Sequence, residues 1–90
     1  MNYLTNEEIN NLTFKDRHEY MIHAMSFGMA TAVNRIHAIC LNSKHIVDDV
    51  LELQTAITKT LSDPKESISN KYIARGALEY VKNALLDAGI

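Results

Sequence analysis

The stretch CLNSKHI, residues 40–46, decides whether the middle of this chain is one helix or two. Asn and Ser compete for backbone hydrogen bonds, which favours an interruption at Ser43. However, the stretch contains no Gly or Pro, and the apolar positions on both sides follow one alternating three-and-four spacing, which is typical of an amphipathic helix. These positions are Ile22, Met25, Met29, Ala32, Ile36, Ile39, Ile46, Val50, Leu53 and Ile57. Because the stripe resumes in register, we predict one long helix over residues 14–61, in which a kink near Ser43 is allowed.

Two shorter helices are predicted on either side of the long one. The sequence TNEE, residues 5–8, matches the S/T-x-x-E capping box and predicts a short helix over residues 5–12. The sequence DPKE, residues 63–66, places an aspartate as N-cap and a proline at the first helical position, and predicts a last helix over 64–88. The chain is therefore predicted to be a single all-α domain, residues 1–90, in which the last helix forms an antiparallel helical hairpin with the long one.

The predicted hairpin leaves part of the long helix without a partner. A helix of about 48 residues spans roughly 70 Å, whereas one of about 25 residues spans under 40 Å. The apolar face of residues 20–39 would then lie in water, unless another chain covers it. Ala24, Gly28 and Ala32 stand at four-residue steps and form a flat ridge for a second helix, so we predict a homo-oligomer with this ridge as its interface. If the chain breaks at Ser43, a monomeric three-helix bundle is the alternative.

Composition excludes several functional classes. The formal net charge is −2, whereas proteins that bind DNA or RNA polymers normally carry a basic excess. Polar residues interrupt the hydrophobic stretches, so no membrane span is expected. The N-terminus lacks the basic start and apolar run of a signal peptide, and a cytoplasmic location is the simplest expectation. A single cysteine, Cys40, excludes an internal disulfide and a thiolate metal cage.

No credible active site is visible in the sequence. The histidines stand at 18, 23, 37 and 45, and no two of them form the three- or four-residue pair that places two imidazoles side by side on one helical face, so we expect neither a metal nor a cofactor. His37 could accept a phosphoryl group on a helical hairpin, but apolar residues follow it where phosphotransfer domains usually carry lysine and glycine. Cys40 lies in an apolar run and is predicted to be a buried structural thiol. We therefore predict that the protein is not an enzyme.

The stretch SNKYIARGALEY, residues 69–80, is the best candidate for a binding surface. Gly76 costs roughly 1 kcal/mol relative to alanine in mid-helix. Tyr72, Gly76 and Tyr80 lie along one line, and the charged residues beside them are Lys71, Arg75, Lys82 and Glu79. Either another helix packs against Gly76, or the two rings, the bare backbone and Arg75 hold a flat anionic ligand by stacking and phosphate binding. Both interpretations stay open from the sequence.

A second candidate set lies on the long helix. Tyr20 and Arg35 are fifteen residues apart, which is about 22 Å along a helix and too far for one small ligand on one chain. Two antiparallel copies would bring the tyrosine of one near the arginine of the other. We therefore expect any ligand site that uses both residues to lie between chains.

The arrangement resembles the small phage proteins that counter CBASS immunity by sequestering cyclic oligonucleotide signals. The resemblance implies a short N-terminal helix, two long antiparallel helices with a kink in the first, and assembly as hexamers. It further implies that Tyr20 and Arg35, the latter standing where the family has lysine, bind cyclic dinucleotides between paired chains. Arg75 matches an arginine that binds cyclic trinucleotides where three chains meet, but Glu79 stands where a threonine would be expected. The protein would bind the signal without cleaving it, in the host cytoplasm if it is phage-encoded.

The competing interpretation is a module for protein–protein interaction without a small-molecule ligand. A small helical phage inhibitor of another kind, an antitoxin or an adaptor would present one helical face to a protein partner. The sequence is compatible with both classes.

Overall fold

The structure is a computed structural model that describes residues 3–90 and contains four α-helices. Helix α1 covers Asn6–Asn10, α2 covers Phe14–Asn42, α3 covers Ile46–Ser62 and α4 covers Ile68–Asp87. The described residues contain no strand, so the predicted all-α class is confirmed. None of these helices combines the length and the apolar character needed to cross a bilayer.

Side-chain caps set the first and last helix starts. At α1 the predicted capping box is confirmed, because Thr5 Oγ1 accepts from the Glu8 amide at 3.2 Å while the Glu8 carboxylate accepts from the Thr5 amide at 3.1 Å. The predicted start of α4 at residue 64 is wrong. Asp63 Oδ1 accepts from the Lys65 amide within a turn, and Ser67 is the actual N-cap of α4. The turn forms because Asp bonds readily to the backbone two residues on.

The predicted helix over 14–61 is two helices, which is a correction. The chain leaves the helix at Ser43, the residue where a kink was allowed, and there the backbone is extended with φ −88° and ψ 143°. Ser43 Oγ accepts from the His45 amide at 3.0 Å and donates to Asp49 Oδ2 at 2.5 Å. These bonds offer the backbone a local alternative to helix, so a serine ends α2 without help from Gly or Pro.

The break produces an up-down-up three-helix bundle, which was the alternative to the extended hairpin. The molecule measures 46 × 23 × 23 Å, and α2 alone spans about 43 Å, so α3 folds back and does not continue in line. Helix α4 reverses again and runs parallel to α2: near its start Tyr72 contacts Arg17, and further along Val81 packs with Ala32. Helix α4 is therefore antiparallel to α3, and it packs against both other long helices.

Two glycines allow α2 and α4 to touch backbone to backbone. A Cβ at Gly28 of α2 would overlap the carbonyl oxygen of Ile73, and a Cβ at Gly76 of α4 would overlap the carbonyl oxygen of Met25. Of the two interpretations of Gly76, helix packing is therefore the one that the geometry supports. Gly76 lowers the helix propensity of α4, but it allows the backbone of α2 to come closer than any side chain at that position would permit.

The predicted oligomer interface is buried inside the single chain. Ala24 is 0% exposed and Ala32 is 2% exposed, and Gly28 between them faces α4 of the same molecule. The prediction that a second chain covers this ridge assumed a continuous helix, whose first half α4 could not reach. Once the chain folds back at Ser43, α4 covers the ridge and no second chain is needed there.

The core consists of two clusters along the α2–α4 contact. One contains Ala32, Val50, Val81 and Leu85, and the other contains Ile9, Ala24 and Tyr72. Helix α4 lies between two partners and so buries a wide sector: Ser69, Tyr72, Ala74, Gly76, Val81 and Leu85. The buried residues of α4 are therefore not confined to one narrow apolar stripe.

We predict that Gly76→Ala lowers the melting temperature by roughly 10 °C, because the new Cβ must separate two backbones and this overpacking outweighs the gain in helix propensity. Asn83→Ala is the matched control, since Asn83 is exposed on the same helix and should gain propensity without a clash. Thermal unfolding followed by circular dichroism measures both. A melting temperature for Gly76→Ala at or above that of the Asn83→Ala control would contradict the packing role.

Candidate functional site

The Tyr20 hydroxyl is engaged in a network with the N-terminal segment. The Leu4 amide donates to Tyr20 Oη at 3.0 Å, and Ser69 Oγ donates to the Leu4 carbonyl at 2.6 Å. Since the single Ser69 proton is used in that bond, Tyr20 must donate to Ser69 Oγ across 2.7 Å. Ser69 is 1% exposed, so the network lies in the interior. The hydroxyl of Tyr20 therefore links the N-terminal segment, α2 and α4.

Tyr72 and Gly76 are not available to a ligand in this structure, which corrects their predicted role. Tyr72 is 7% exposed, and its hydroxyl accepts from Arg17 Nε at 2.9 Å. Its ring lies 6.3 Å from that of Tyr20, at an interplanar angle of 59°. Gly76 faces the backbone of Met25. The space where a flat ligand was expected is occupied by α2 itself.

Arg75 is exposed at the edge of the same helix contact. Its Nη1 donates to Met21 Sδ at 3.6 Å, and a thioether is only a weak acceptor. The guanidinium lines a groove of about 430 Å³ between α2 and α4, whose lining residues are Met21, Met25, Arg75, Leu78, Glu79 and Lys82. Three apolar side chains, two cations and one carboxylate thus share one shallow surface. An amphipathic anion is the ligand class that such a lining can bind.

Arg35 belongs to a different groove, so the structure does not bring it together with Tyr20. It lines a groove of about 670 Å³ between α2 and α3, together with Asp49, Glu52 and Lys59. Two carboxylates in this lining oppose an anionic ligand, whereas the Arg75 groove contains one. The chain therefore separates the two arginines into surfaces of different charge.

The other candidate residues do not form a site. Within residues 3–90, no group of three or more His, Cys, Asp or Glu side chains lies close enough to hold a metal ion. Cys40 is exposed, so its predicted burial is wrong. Ile39 is half-buried against the core, and the next residue on a helix points about 100° away from it. In an apolar run such as the one around Cys40, the sequence does not show which residue faces the core and which faces solvent.

Sequence reasoning assigned no site role to three residues of α2 that face α4 near the N-terminal end of the ridge. Arg17 bonds to Tyr72, and Met21 and Met25 line the Arg75 groove. Arg17, Met21 and Met25 follow each other at four-residue steps, which is a signal for one helical face. Their function could not be assigned without knowing that α4 lies against that face.

A row of apolar side chains remains partly exposed on α2. Ile22, Met29 and Val33 are 46%, 40% and 38% exposed. They lie on one side of the helix, because the spacings of seven and four residues correspond to two turns and one turn. This row is the surface through which α2 could contact another protein.

Comparison of the chain with protein-family models, curated proteins and solved structures produced no match.

We predict that Tyr20→Phe destabilises the protein by about 1–3 kcal/mol, because it removes the donor to the buried Ser69 Oγ and leaves the Leu4 amide without its acceptor. Tyr80→Phe is the control, since Tyr80 is half-buried and lies outside this network. Urea unfolding of both variants gives the comparison. Equal stability of the two variants would show that the Tyr20 network contributes nothing.

Proposed function

We propose that this chain is a non-enzymatic binding protein that sequesters cyclic oligonucleotide immune signals, and so blocks CBASS-type antiphage defence from within the cytoplasm. The observation that carries the proposal is the Arg75 groove, in which two cations stand beside apolar side chains. The resemblance in the position of Arg75 adds support of a different kind, whereas the long helix that the resemblance implied is divided into α2 and α3. Cyclic dinucleotides and cyclic trinucleotides are both candidate ligands.

The spacing of the two cations suits a ligand with more than one phosphate. Arg75 and Lys82 are seven residues apart on α4, which places their backbones about 10 Å apart on nearly the same side of the helix. A guanidinium can bind one phosphate bidentately, and an ammonium can bind another as a point charge. The Met21, Met25 and Leu78 side chains supply apolar contacts for a base. Glu79 lies between the cations and weakens the attraction.

Binding without cleavage is the activity that this lining supports. The groove contains a single carboxylate, and its other lining residues are Met, Leu, Arg and Lys, which offer no paired acid and base for hydrolysis. Arg35 and Tyr20 would contribute only if copies of the chain bring them together, because on one chain they line different regions. The proposal therefore depends first on Arg75 and Lys82.

The second candidate function is a protein-interaction module, and the exposed row on α2 favours it. Ile22, Met29 and Val33 form a surface that a helix of a protein partner could cover. This function does not need Arg75 or Lys82. The two candidates therefore predict opposite results for variants of the groove.

We predict that a cyclic oligonucleotide raises the melting temperature. At one hundred times its dissociation constant, the ligand stabilises by about 2.7 kcal/mol, which corresponds to roughly 10–20 °C for a domain of this size. The probes are 3′,3′-cyclic GMP–AMP, related cyclic dinucleotides and cyclic triadenylate, each measured by differential scanning fluorimetry. Absence of a shift with all of them would favour the interaction module.

Variants of the groove should separate specific from non-specific binding. Arg75→Ala and Lys82→Ala should each weaken binding about ten- to hundredfold, because each removes a charged phosphate contact. Glu79→Gln should strengthen binding, since it removes a repelling charge. Lys15→Ala is the control, because Lys15 is an exposed cation on α2 that lines neither the Arg75 groove nor the Arg35 groove. An equal loss of affinity for Lys15→Ala, measured by isothermal titration calorimetry, would show that the ligand is held only by general charge attraction.

The bound nucleotide should be recovered intact. After incubation with the protein and heat denaturation, chromatography should return the cyclic compound in full, because the groove sequesters it and does not react with it. Linear products in the wild type that persist in Arg75→Ala would indicate a contaminating nuclease. Linear products that disappear in Arg75→Ala would overturn the proposed absence of catalysis.

A further inference from the structure

The apolar stripe of α2 continues into α3 as if the break did not exist. Ile39 and Ile46 lie on either side of the break and are seven residues apart, which is two helical turns. The stripe then continues at Val50 and Leu53, which pack in the same core cluster as Ala32. A change of residues 43–45 to helix would therefore keep all these side chains on one face.

The break is held by few interactions. Ser43 Oγ makes the two bonds to the His45 amide and the Asp49 carboxylate, and the N-cap residue of α3, His45, makes no side-chain cap bond. Two apolar side chains beside the break stay exposed: Leu41 at 69% and Val47 at 43%. With no Gly or Pro in the segment, nothing in the covalent structure forbids a helix there.

We infer that a second copy of this chain can exchange its α3–α4 hairpin with the first, with residues 43–45 as the hinge. When the hinge straightens, α3 and α4 stay paired and move away together, and the ridge of Ala24, Gly28 and Ala32 becomes bare. Helix α4 is then antiparallel to its own α2, whereas the bundle needs it parallel. A second copy that lies antiparallel to the first supplies an α4 of the correct polarity.

The exchange therefore recreates both glycine contacts between chains. Gly28 of one copy would receive the Ile73 carbonyl of the other, and Gly76 would receive the Met25 carbonyl, with the same geometry as in the single chain. The arrangement has two-fold symmetry and closes on itself, as domain-swapped dimers do. No new contact surface has to be created apart from the straightened hinge.

The exchanged dimer would also divide the Arg75 groove between two copies. Met21 and Met25 would come from one chain, and Arg75, Leu78, Glu79 and Lys82 from the other. Each dimer would then contain two equivalent grooves. A single chain with a straightened hinge would lack a complete groove, because its own α4 no longer lies beside its own α2. This inference does not depend on the proposed ligand, and its test uses none.

Cross-linking across the α2–α4 contact tests the exchange. In a Cys40→Ser background, Met21→Cys and Arg75→Cys place two thiols where the native side chains already meet, and a short dithiol-reactive linker joins them. In the bundle the link is intrachain, and on a denaturing gel the product runs as a monomer. In the exchanged dimer the same link is interchain and the product runs as a covalent dimer. The interchain fraction should rise with protein concentration.

Variants of the hinge decide whether the break controls the exchange. Ser43→Ala removes both Oγ bonds and favours helix at the hinge, so the interchain fraction should rise several-fold. Because each dimer contains two hinges, the effect of the substitution on the dimer is counted twice. Lys44→Gly disfavours helix and should lower the fraction; Lys44→Pro should do so more strongly. Intrachain links alone in the wild type and in Ser43→Ala would overturn the inference. An interchain fraction that is the same in the wild type and in the hinge variants would also overturn the inference, since the chains would then associate through another surface.

Discussion

The structure depends on a reciprocal contact between two helix backbones, in which Gly28 of α2 faces the Ile73 carbonyl and Gly76 of α4 faces the Met25 carbonyl. Each glycine accommodates the backbone of the other helix, so the contact fixes both the separation and the register of α2 and α4. Register matters because every other contact between these helices follows from it. The bond from Arg17 to Tyr72 and the packing of Ala32 against Val81 occur on either side of this contact along the bundle axis.

The same contact determines which residues can meet a ligand. Gly76 is covered and Tyr72 is turned inward, while Tyr20 is engaged by Leu4 and Ser69. One position earlier on α4, Arg75 points about 100° away from Gly76 and reaches the edge, where it lies beside Met21. Residues 69–80 therefore include residues of two kinds. The small and aromatic residues build the helix contact, whereas Arg75 stays exposed at the edge of that contact.

Local signals predicted the helices more reliably than their arrangement. The capping box at Thr5 was confirmed, because both of its bonds form within four residues of sequence. The sequence indicated an interruption at Ser43 but predicted a kink there. An apolar stripe that stays in register is compatible with one kinked helix and with two separate helices. In a continuous helix over residues 14–61, the last helix cannot reach Ala24, Gly28 and Ala32. A second chain was therefore predicted to cover them. Arg17, Met21 and Met25 were assigned no site role, for the related reason that their partner helix was unknown.

The sequence by itself determined the all-α class, the first cap, the position of the interruption and the exposed cations of the last helix. These features depend on backbone hydrogen bonds and periodicity, which act over a few residues. Only the tertiary structure decided the direction of α4, the burial of the glycine ridge, the loss of Tyr72 as a ligand contact and the separation of Arg75 from Arg35. Those depend on which apolar face meets which, and a stripe that is in register on both sides of Ser43 carries no information about whether the chain folds back there.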